Sequence, residues 1–264
     1  MGADRMKISG WGRYPIIEAT VATPRSIEGL SKIIRRGNAI ARGNGRSYGD
    51  SSISQSNTIH MKYFNRMLAF DDKSGQLVAE AGVMLADVIE VFLERGWFPA
   101  VTPGTKFVTL GGMIAADVHG KNHHKDGSFG RYVDWIDIII ADGSIKRCSK
   151  TENIELFDWT IGGMGLTGVI IRAAIRLRRI SSGWIEQRTL VANNIKQAIE
   201  IFEQSLEATY SVAWIDCMQK GPALGRSLVM LGEHAKAEEV PSKFQKSPKA
   251  ITFKPKRNIP FHFP

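Results

Sequence analysis

The sequence predicts an α+β fold, in which helices and antiparallel hairpins follow one another without the regular alternation of a doubly wound sheet. Apolar residues at positions 85, 88, 89, 92 and 93 have helical spacing, and Gly96 ends that pattern. Asp142-Gly143 separates two apolar segments, which is typical of a two-residue hairpin. Three glycine-rich loops interrupt these elements and are the candidate functional segments.

The other elements follow from the same signals. Pro24 at the start and Gly37 at the end predict a helix over 27–36. Further strands are predicted over 38–43, 57–61, 76–81, 133–141, 144–148, 169–177, 211–216 and 226–231. Further helices are predicted over 85–95, 113–118, 156–161 and 194–208. The character of the sequence changes at Ser181-Ser182-Gly183, so we place a domain boundary near residue 181.

Composition limits the class of protein. The 264 residues are 43% hydrophobic and 23% charged, which is ordinary for a soluble globular protein with one large or two smaller domains. The net charge of +9 suits an anionic partner, whether a nucleotide cofactor, a phosphorylated substrate, nucleic acid or an acidic membrane. Part of the excess lies in a tail over 243–257, which we interpret as a solvated segment.

Cysteine content and hydropathy indicate the compartment. Cys148 and Cys217 are the two cysteines, so no disulfide framework is predicted and a reducing compartment is expected. The N-terminal residues lack the apolar region of a secretory signal, and the apolar run over 138–141 is far shorter than the ~18 residues of a membrane span. We expect a cytoplasmic protein without a transmembrane segment, at most peripheral at the inner membrane.

The first glycine-rich loop covers residues 41–50, ARGNGRSYGD. Three glycines in seven positions allow positive φ angles, so that successive N–H groups can turn inward and form an anion-binding nest. Ser47 could add a hydroxyl donor, and Arg42 or Arg46 a positive charge. The spacing matches neither a P-loop nor a Rossmann fingerprint, and an ordinary tight turn is the alternative interpretation.

The second loop runs from Pro103 to His124 and contains TLGGMIAADVHGKNHH. Gly111-Gly112 at a helix N-terminus would let an anion or a ring approach the backbone, where the helix dipole favours negative charge. Its histidines are not accompanied by a cysteine or carboxylate at ligand spacing, so we predict no metal site. They form either a surface cluster or the polar lining of a site for a charged ligand.

The third loop, IGGMGLTG over 161–168, leads directly into a strand. Four glycines there predict that the backbone closely approaches another group, with a bulged loop as the alternative.

Together these segments and the GSFG of 127–130 resemble the vanillyl-alcohol-oxidase-type family, whose FAD-binding domain is called the PCMH type. The similarity runs from Gly10-Trp11-Gly12-Arg13 to about Leu231. The resemblance implies a two-subdomain FAD-binding domain over 1–180, followed by the start of an α+β substrate domain over 181–264. Chains of the family are considerably longer, so a C-terminally truncated chain that ends inside the second domain is expected.

The resemblance also implies the cofactor contacts. The FAD pyrophosphate would be wrapped by Ala41, Arg42, Gly43, Asn44, Gly45, Arg46, Ser47, Tyr48, Gly49, Asp50 and Ser51. The ribityl chain and isoalloxazine ring would be lined by Gly104, Thr109, Leu110, Gly111, Gly112, His119, Gly120, Lys121 and Asn122, with Ile171 beside the adenine. Tyr48 stands where covalent members carry the histidine that attaches the flavin, so the FAD is expected to be non-covalent.

The implied reaction is oxidation of a secondary alcohol of a phosphorylated or lipid-linked sugar, in cell-wall biosynthesis, with hydride transfer to the flavin. His119 and Lys121 would be catalytic and substrate-binding, and Trp214 would also face the substrate. A short-chain reductase could complete an epimerase with this chain.

Three alternatives remain at this point. The chain could oxidise a sugar lactone or an alditol, or it could be a catalytically incomplete FAD-binding fragment. A polyanion- or nucleic-acid-binding module is a weaker alternative, since stacking platforms need aromatic residues interleaved with the basic clusters. The phenylalanines of the basic tail are instead scattered among prolines.

Overall fold

The computed structural model describes residues 3–242, which form three β-sheets with helices packed against them. This mixture of helices and largely antiparallel strands confirms the predicted α+β class. The basic tail over 243–257 lies outside the described residues.

The first sheet has four strands in the order β1-β2-β4-β3. They are β1 (Ala3–Ile8), β2 (Ile17–Ala22), β3 (Ala39–Arg42) and β4 (Asn57–His60). Helix α1 (Ile27–Ile34) links β2 to β3, and the Ser26 side chain accepts a hydrogen bond from the Gly29 N–H at its start. The strands β2, β4 and β3 are parallel, and β1 is antiparallel to β2. The first glycine-rich loop therefore leaves the carboxyl end of an edge strand.

The second sheet is antiparallel, in the order β5-β6-β10-β8-β9. Its strands are β5 (Met67–Asp71), β6 (Gln76–Glu80), β7 (Trp97–Pro99), which pairs with the end of β10, β8 (Val133–Ile139), β9 (Ile145–Ser149) and β10 (Val169–Arg179). Its helices are α2 (Leu85–Phe92), α3 (Leu110–Ala115), α4 (His123–Asp126) and α5 (Ile154–Thr160). The predicted hairpin is confirmed, with Gly143 at φ 81° between β8 and β9.

Two buried clusters hold these sheets together. The larger one packs α2, α3 and α5 on the second sheet, with Phe129, Met113 and Ile136 among its fully buried members. The smaller one packs α1 on the first sheet and is completed by Ile139, Val169 and Ile171 of the second. Because apolar side chains from both sheets share this cluster, burial of their surface fixes the first loop relative to β10.

A buried carboxylate ties three strands of the second sheet. Asp137 on β8 accepts hydrogen bonds from Arg147 of β9 at 2.8 Å and from Arg172 of β10. Burial would raise the pKa of Asp137, but the hydrogen bonds and charges of the two arginines outweigh it and lower that pKa below its ordinary value.

The third sheet has the order β11-β13-β12, all antiparallel. It consists of β11 (Ile185–Ala192), β12 (Tyr210–Ile215) and β13 (Ser227–His234), with α6 (Ile195–Glu203) packed on one face. The change of sheet between Arg179 and Ile185 coincides with the predicted domain boundary, which stays a prediction.

Several predicted bounds were wrong. The helix predicted over 113–118 starts earlier, at Leu110, because Thr109 caps it. The helix predicted over 194–208 ends at Glu203. Strands β1, β2, β5, β7 and β11 were not predicted; β1 and β11 carry mostly exposed residues, so the alternation of apolar and polar side chains is weak in both.

Candidate functional site

A cleft lies between the first loop, helix α3 and the start of β10. The three glycine-rich loops, which are far apart in sequence, meet in its walls. Ten of the residues predicted to bind the cofactor line it: Ala41, Gly43, Asn44, Gly45, Arg46, Ser47, Ser51, Thr109, Gly111 and Gly112. The sequence did not single out Ser52, Met61, Ala81, Val108 and Val118, which also line it.

The first loop offers a row of free backbone donors. Among the described residues, no acceptor receives a hydrogen bond from the N–H groups of residues 43–51. Gly45 and Gly49 have φ angles of 64° and 58°, a region in which L side chains are strained, so these positions favour glycine. Free donors around positive-φ glycines are the features of an anion-binding nest.

Arg42 has a different place from the one predicted. Its guanidinium donates to the Ser9 carbonyl at 2.8 Å and to Ser52 Oγ at 3.2 Å, and it lies where a Cβ on Gly45 would be. It does not line the cleft. Burial lowers its pKa. Arg42 therefore stabilises the shape of the loop without lining the cleft.

Arg46 lines the cleft and has an unused donor. Its Nε is buried and has no hydrogen-bond partner among the described residues. A buried donor without an acceptor is costly, so a bound anion is the expected partner. An unpaired guanidinium and a row of free N–H groups fit the pyrophosphate of FAD.

The first backbone N–H groups of helix α3 already have acceptors, so the helix offers no free donors there. Its glycines instead let backbone segments approach one another closely. The N–H groups of Leu110 and Gly111 donate to the Val83 and Ala81 carbonyls, both at 2.8 Å. The Gly112 N–H donates to Thr109 Oγ1 at 3.3 Å. These three N–H groups therefore already have acceptors within the protein, and the approach of an anion or a ring to this helix N-terminus stays a prediction.

The glycines of this wall bring backbone segments together. A Cβ on Gly43 would lie 2.2 Å from Thr109 Oγ1, and one on Gly111 would lie 2.8 Å from the Ala81 Cβ. The backbone segments thus approach one another so closely at these two positions that only glycine fits, and a long flat ligand such as FAD can lie along this wall.

The third loop closes the cleft on the side of α3. The N–H groups of Gly162 and Met164 donate to the carbonyls of Ile114 and Ala115, at 3.0 and 2.8 Å. Gly165 and Gly168 line the cleft with φ angles of 79° and 148°. The predicted close approach of this loop to another group is confirmed.

Ile170 and Ile171 of β10 point to opposite faces of the strand, as successive strand residues do. Ile171 is 2% exposed and packs in the smaller core cluster, whereas Ile170 lines the cleft. The predicted contact of Ile171 with the adenine stays a prediction.

Other predicted residues lie outside the cleft lining. Leu110 is buried in the core, and Tyr48 is 74% exposed. Within residues 3–242, the cleft lining also does not include Gly49, Asp50, Gly104, His119, Gly120, Lys121, Asn122 or Trp214.

The loop with His119 and Lys121 instead contacts the third sheet. The Lys121 carbonyl accepts a hydrogen bond from the Ser211 N–H of β12 at 2.8 Å. Three residues further on, His124 Nε2 lies 2.9 Å from the Ala208 carbonyl, and Lys125 Nζ donates to the Glu207 carbonyl at 2.6 Å. His119, Lys121 and Trp214 are exposed, so all three are free to meet a ligand.

Asn122 and Asp126 stabilise that loop through buried hydrogen bonds. Asn122 is 1% exposed, and its Nδ2 donates to the Ala100 carbonyl and to Asp126 Oδ2, both at 2.7 Å. Asp126 also accepts from Arg178 of β10. Burial would raise the pKa of Asp126, but the hydrogen bonds from Arg178, Asn122 and Tyr132 outweigh it and lower that pKa. Local sequence pattern does not reveal this network, because Arg178 lies far along the chain from Asn122 and Asp126.

The described residues contain neither a candidate metal centre nor a helix that could span a membrane. No group of three or more His, Cys, Asp or Glu side chains within residues 3–242 is placed to hold a metal ion. In the same part of the chain, no helix combines the length and apolar character needed to cross a bilayer.

Comparisons with known proteins agree with this geometry. A family described as an FAD binding domain matches residues 19–149. Decaprenylphosphoryl-β-D-ribose oxidase of Mycolicibacterium smegmatis is 35% identical over 92% of this chain and 55% of its own length. L-gulonolactone oxidase of Bos taurus is 28% identical over 66% of the chain and 41% of its own length. Cytokinin dehydrogenase 2 of Arabidopsis thaliana is 32% identical over 52% of the chain and 27% of its own length.

The chain thus spans about half of the first relative and less of the others. The matched region contains the first two glycine-rich loops and most of the cleft. The chain therefore belongs to the family of flavoproteins with a PCMH-type FAD-binding domain.

Proposed function

We propose that the protein is an FAD-dependent oxidoreductase that oxidises a secondary alcohol of a phosphorylated or lipid-linked sugar. FAD supplies the hydride acceptor. The observation that carries the proposal is the hydrogen bond between the Ser211 N–H and the Lys121 carbonyl, at 2.8 Å. It ties the basic loop of the FAD-binding domain, residues 119–125, to the strand that bears Trp214. Residues of both could therefore contact one substrate.

The cofactor would be held by the cleft residues. The N–H groups of 43–51 and the Arg46 side chain would bind the pyrophosphate, and the wall of Gly111 and Gly112 would lie along the rest of the molecule. Covalent members of the family attach the flavin through a histidine at this position. Tyr48 stands there in this chain, which supports non-covalent binding.

Lys121 and His119 would act on the substrate. An ammonium is a compact point charge suited to a phosphate group, so Lys121 would anchor the phosphate of the sugar. His119 would accept a hydrogen bond from the alcohol and orient it, acting as the base that takes the hydroxyl proton. Trp214 would pack its ring against an apolar face of the substrate.

The name of the Mycolicibacterium relative supports a lipid-linked sugar phosphate as the substrate class. The name of the bovine relative supports a sugar lactone as the second candidate. Under the first candidate, we further propose a role in cell-wall synthesis, peripheral association with the membrane that holds the lipid, and a short-chain reductase partner that would complete an epimerisation.

The first experiment tests the cofactor. The purified protein is expected to be yellow and to release FAD into the supernatant on acid precipitation. Flavin that stays with the precipitate would contradict non-covalent attachment. A colourless protein that takes up no added FAD would contradict cofactor binding, as expected of a chain that binds polyanions instead.

The second experiment tests the reaction. Under anaerobic conditions, the flavin absorbance of the holoprotein should bleach on addition of a polyprenyl-phosphate-linked pentose, but not of an alditol or a sugar lactone. Bleaching by the lactone alone would favour the second candidate. A holoprotein that no sugar reduces would indicate an FAD-binding fragment without the complete catalytic set.

The third experiment tests the two side chains. Lys121→Ala should raise the substrate concentration needed for half-maximal bleaching by about tenfold or more, and His119→Ala should slow the bleaching itself by about 10²-fold, the lower range of general-base catalysis. Unchanged bleaching in either variant would remove that residue from the proposal.

A further inference from the structure

We infer that Trp11 is a positioning residue for the cofactor, which holds the guanidinium of Arg46 against the pyrophosphate of FAD. This inference rests on FAD binding in the cleft but not on the choice of substrate. Trp11 lies outside residues 19–149, the range matched by the FAD-binding family.

The backbone around Trp11 is attached to the first glycine-rich loop. The Trp11 N–H donates to the Ser47 carbonyl at 2.7 Å. One residue earlier, a Cβ on Gly10 would lie 2.6 Å from the carbonyl oxygens of both Ser47 and Gly49. The close approach therefore requires glycine at position 10. This segment therefore supports the loop whose residues 43–47 line the cleft.

The side chain of Trp11 meets Arg46 directly. The Arg46 Cζ lies 4.7 Å from the centre of the Trp11 ring, within the range of a cation–π contact. Arg46 forms no ion pair with the described residues. The indole is therefore its main lateral support.

Stacking leaves the donors of the guanidinium available. A cation–π contact uses the face of the guanidinium, whereas its N–H groups point outward in the plane. The Arg46 Nε is buried and has no acceptor among residues 3–242, and the side chain lines the cleft. An arginine that is already oriented loses less freedom when it binds a phosphate oxygen, so its contribution to affinity is larger.

The test is a double-mutant cycle on FAD affinity, measured by quenching of flavin fluorescence in the reconstituted full chain. Trp11→Ala should raise the dissociation constant for FAD by about three- to fivefold, the size of a cation–π contact at an exposed site, because Trp11 is 53% exposed. Trp11→Phe keeps an aromatic face and should recover most of the loss. In an Arg46→Gln background, Trp11→Ala should have little further effect, because Trp11 acts through Arg46.

Riboflavin provides the control without phosphate. Its affinity should be nearly the same in wild type and Trp11→Ala. Trp159→Ala, an exposed tryptophan on α5, is the matched control for loss of an indole and should leave FAD affinity unchanged.

Three results would overturn the inference: equal FAD affinity in wild type and Trp11→Ala, full additivity of the two substitutions, or an equal loss for riboflavin and FAD. If Trp11→Ala does not fold, Trp11→Leu fills the same space without a π face and takes its place in the cycle. Failure of the wild type to bind FAD would refute the cofactor assignment itself.

Discussion

Substitution of Gly43 is the most direct test of the shape of the cofactor cleft. It follows the last residue of β3, lines the cleft, and faces Thr109 at the start of α3. A Cβ at position 43 would lie 2.2 Å from Thr109 Oγ1 and 3.2 Å from both its Cβ and Cγ2. Rotation of the threonine side chain does not relieve this contact, because it exchanges one crowded atom for another. Gly43→Ala should therefore displace the loop.

The cost follows from the size of the overlap. Forcing one methyl group into a packed contact costs about 1–3 kcal/mol, and loss of the Thr109 cap would cost about 1 kcal/mol. For a protein of this size, each kcal/mol corresponds to a fall of roughly 2–4 °C in melting temperature. Displacement of the free N–H groups should also raise the dissociation constant for FAD by about tenfold per 1.4 kcal/mol lost.

The assay measures melting temperature and FAD affinity in four proteins: wild type, Gly43→Ala, Thr109→Ala and the double variant. Removal of Oγ1 and Cγ2 makes space for the new methyl group, so the double variant should bind FAD nearly as well as Thr109→Ala alone. Gly12→Ala is the control, since a Cβ there meets nothing within 4 Å. The reasoning is refuted if Gly43→Ala binds FAD like wild type, or if Thr109→Ala gives no rescue.

Three further predictions concern the frame around the site. Because the folded pKa of the Asp137 carboxyl is lowered, its stabilisation is present above the unfolded value of ~3.9 and is lost as pH falls below it. The difference in unfolding free energy between wild type and Asp137→Asn should thus be about 2 kcal/mol at neutral pH and shrink below about pH 4, measured by urea titration; a constant difference would contradict this. Burial raises the pKa of the Cys148 thiol to about 11, so a thiol reagent should modify Cys217 alone in the native protein and both in denaturant. Asp126→Asn should weaken the tie to Arg178 and speed amide hydrogen exchange over residues 121–126, with slower or equal exchange as the contrary result.

The sequence predicted the elements with strong periodicity or clear punctuation. The hairpin at Asp142-Gly143 and helix α2 ending before Gly96 are local structures, fixed by residues adjacent in the chain. The start of α3 was missed by three residues, because Thr109 caps it while the flanking glycines hide the signal. Strand β11 pairs with the distant β13, which local pattern does not reveal, and β1 pairs with the neighbouring β2 but carries mostly exposed residues.

In the candidate site, too, features that depend on single residues were predicted better than features that depend on distant residues. Glycines in the first loop predicted an anion cradle, since positive φ and close approach are requirements of single residues. The side-chain assignments were less accurate. Arg42 and Arg46 have equal standing in the sequence, but Arg42 supports the loop through the Ser9 carbonyl while Arg46 lines the cleft. Which arginine faces inward depends on residues 9 and 11, more than thirty positions away.

The contacts between the basic loop and the third sheet use backbone groups on at least one side. The Ser211 N–H reaches the Lys121 carbonyl, and His124 reaches the Ala208 carbonyl. Because each of these contacts uses a backbone carbonyl as its acceptor, it places no requirement on the side chain of that residue. The side chains nearby can therefore differ between proteins that bind different ligands. The FAD cleft, by contrast, requires glycine at positions 43 and 111, where a Cβ would collide with Thr109 and Ala81, and its first loop requires glycine at position 10 beside it. This difference explains why the cofactor can be read from the sequence while the substrate must be found by experiment.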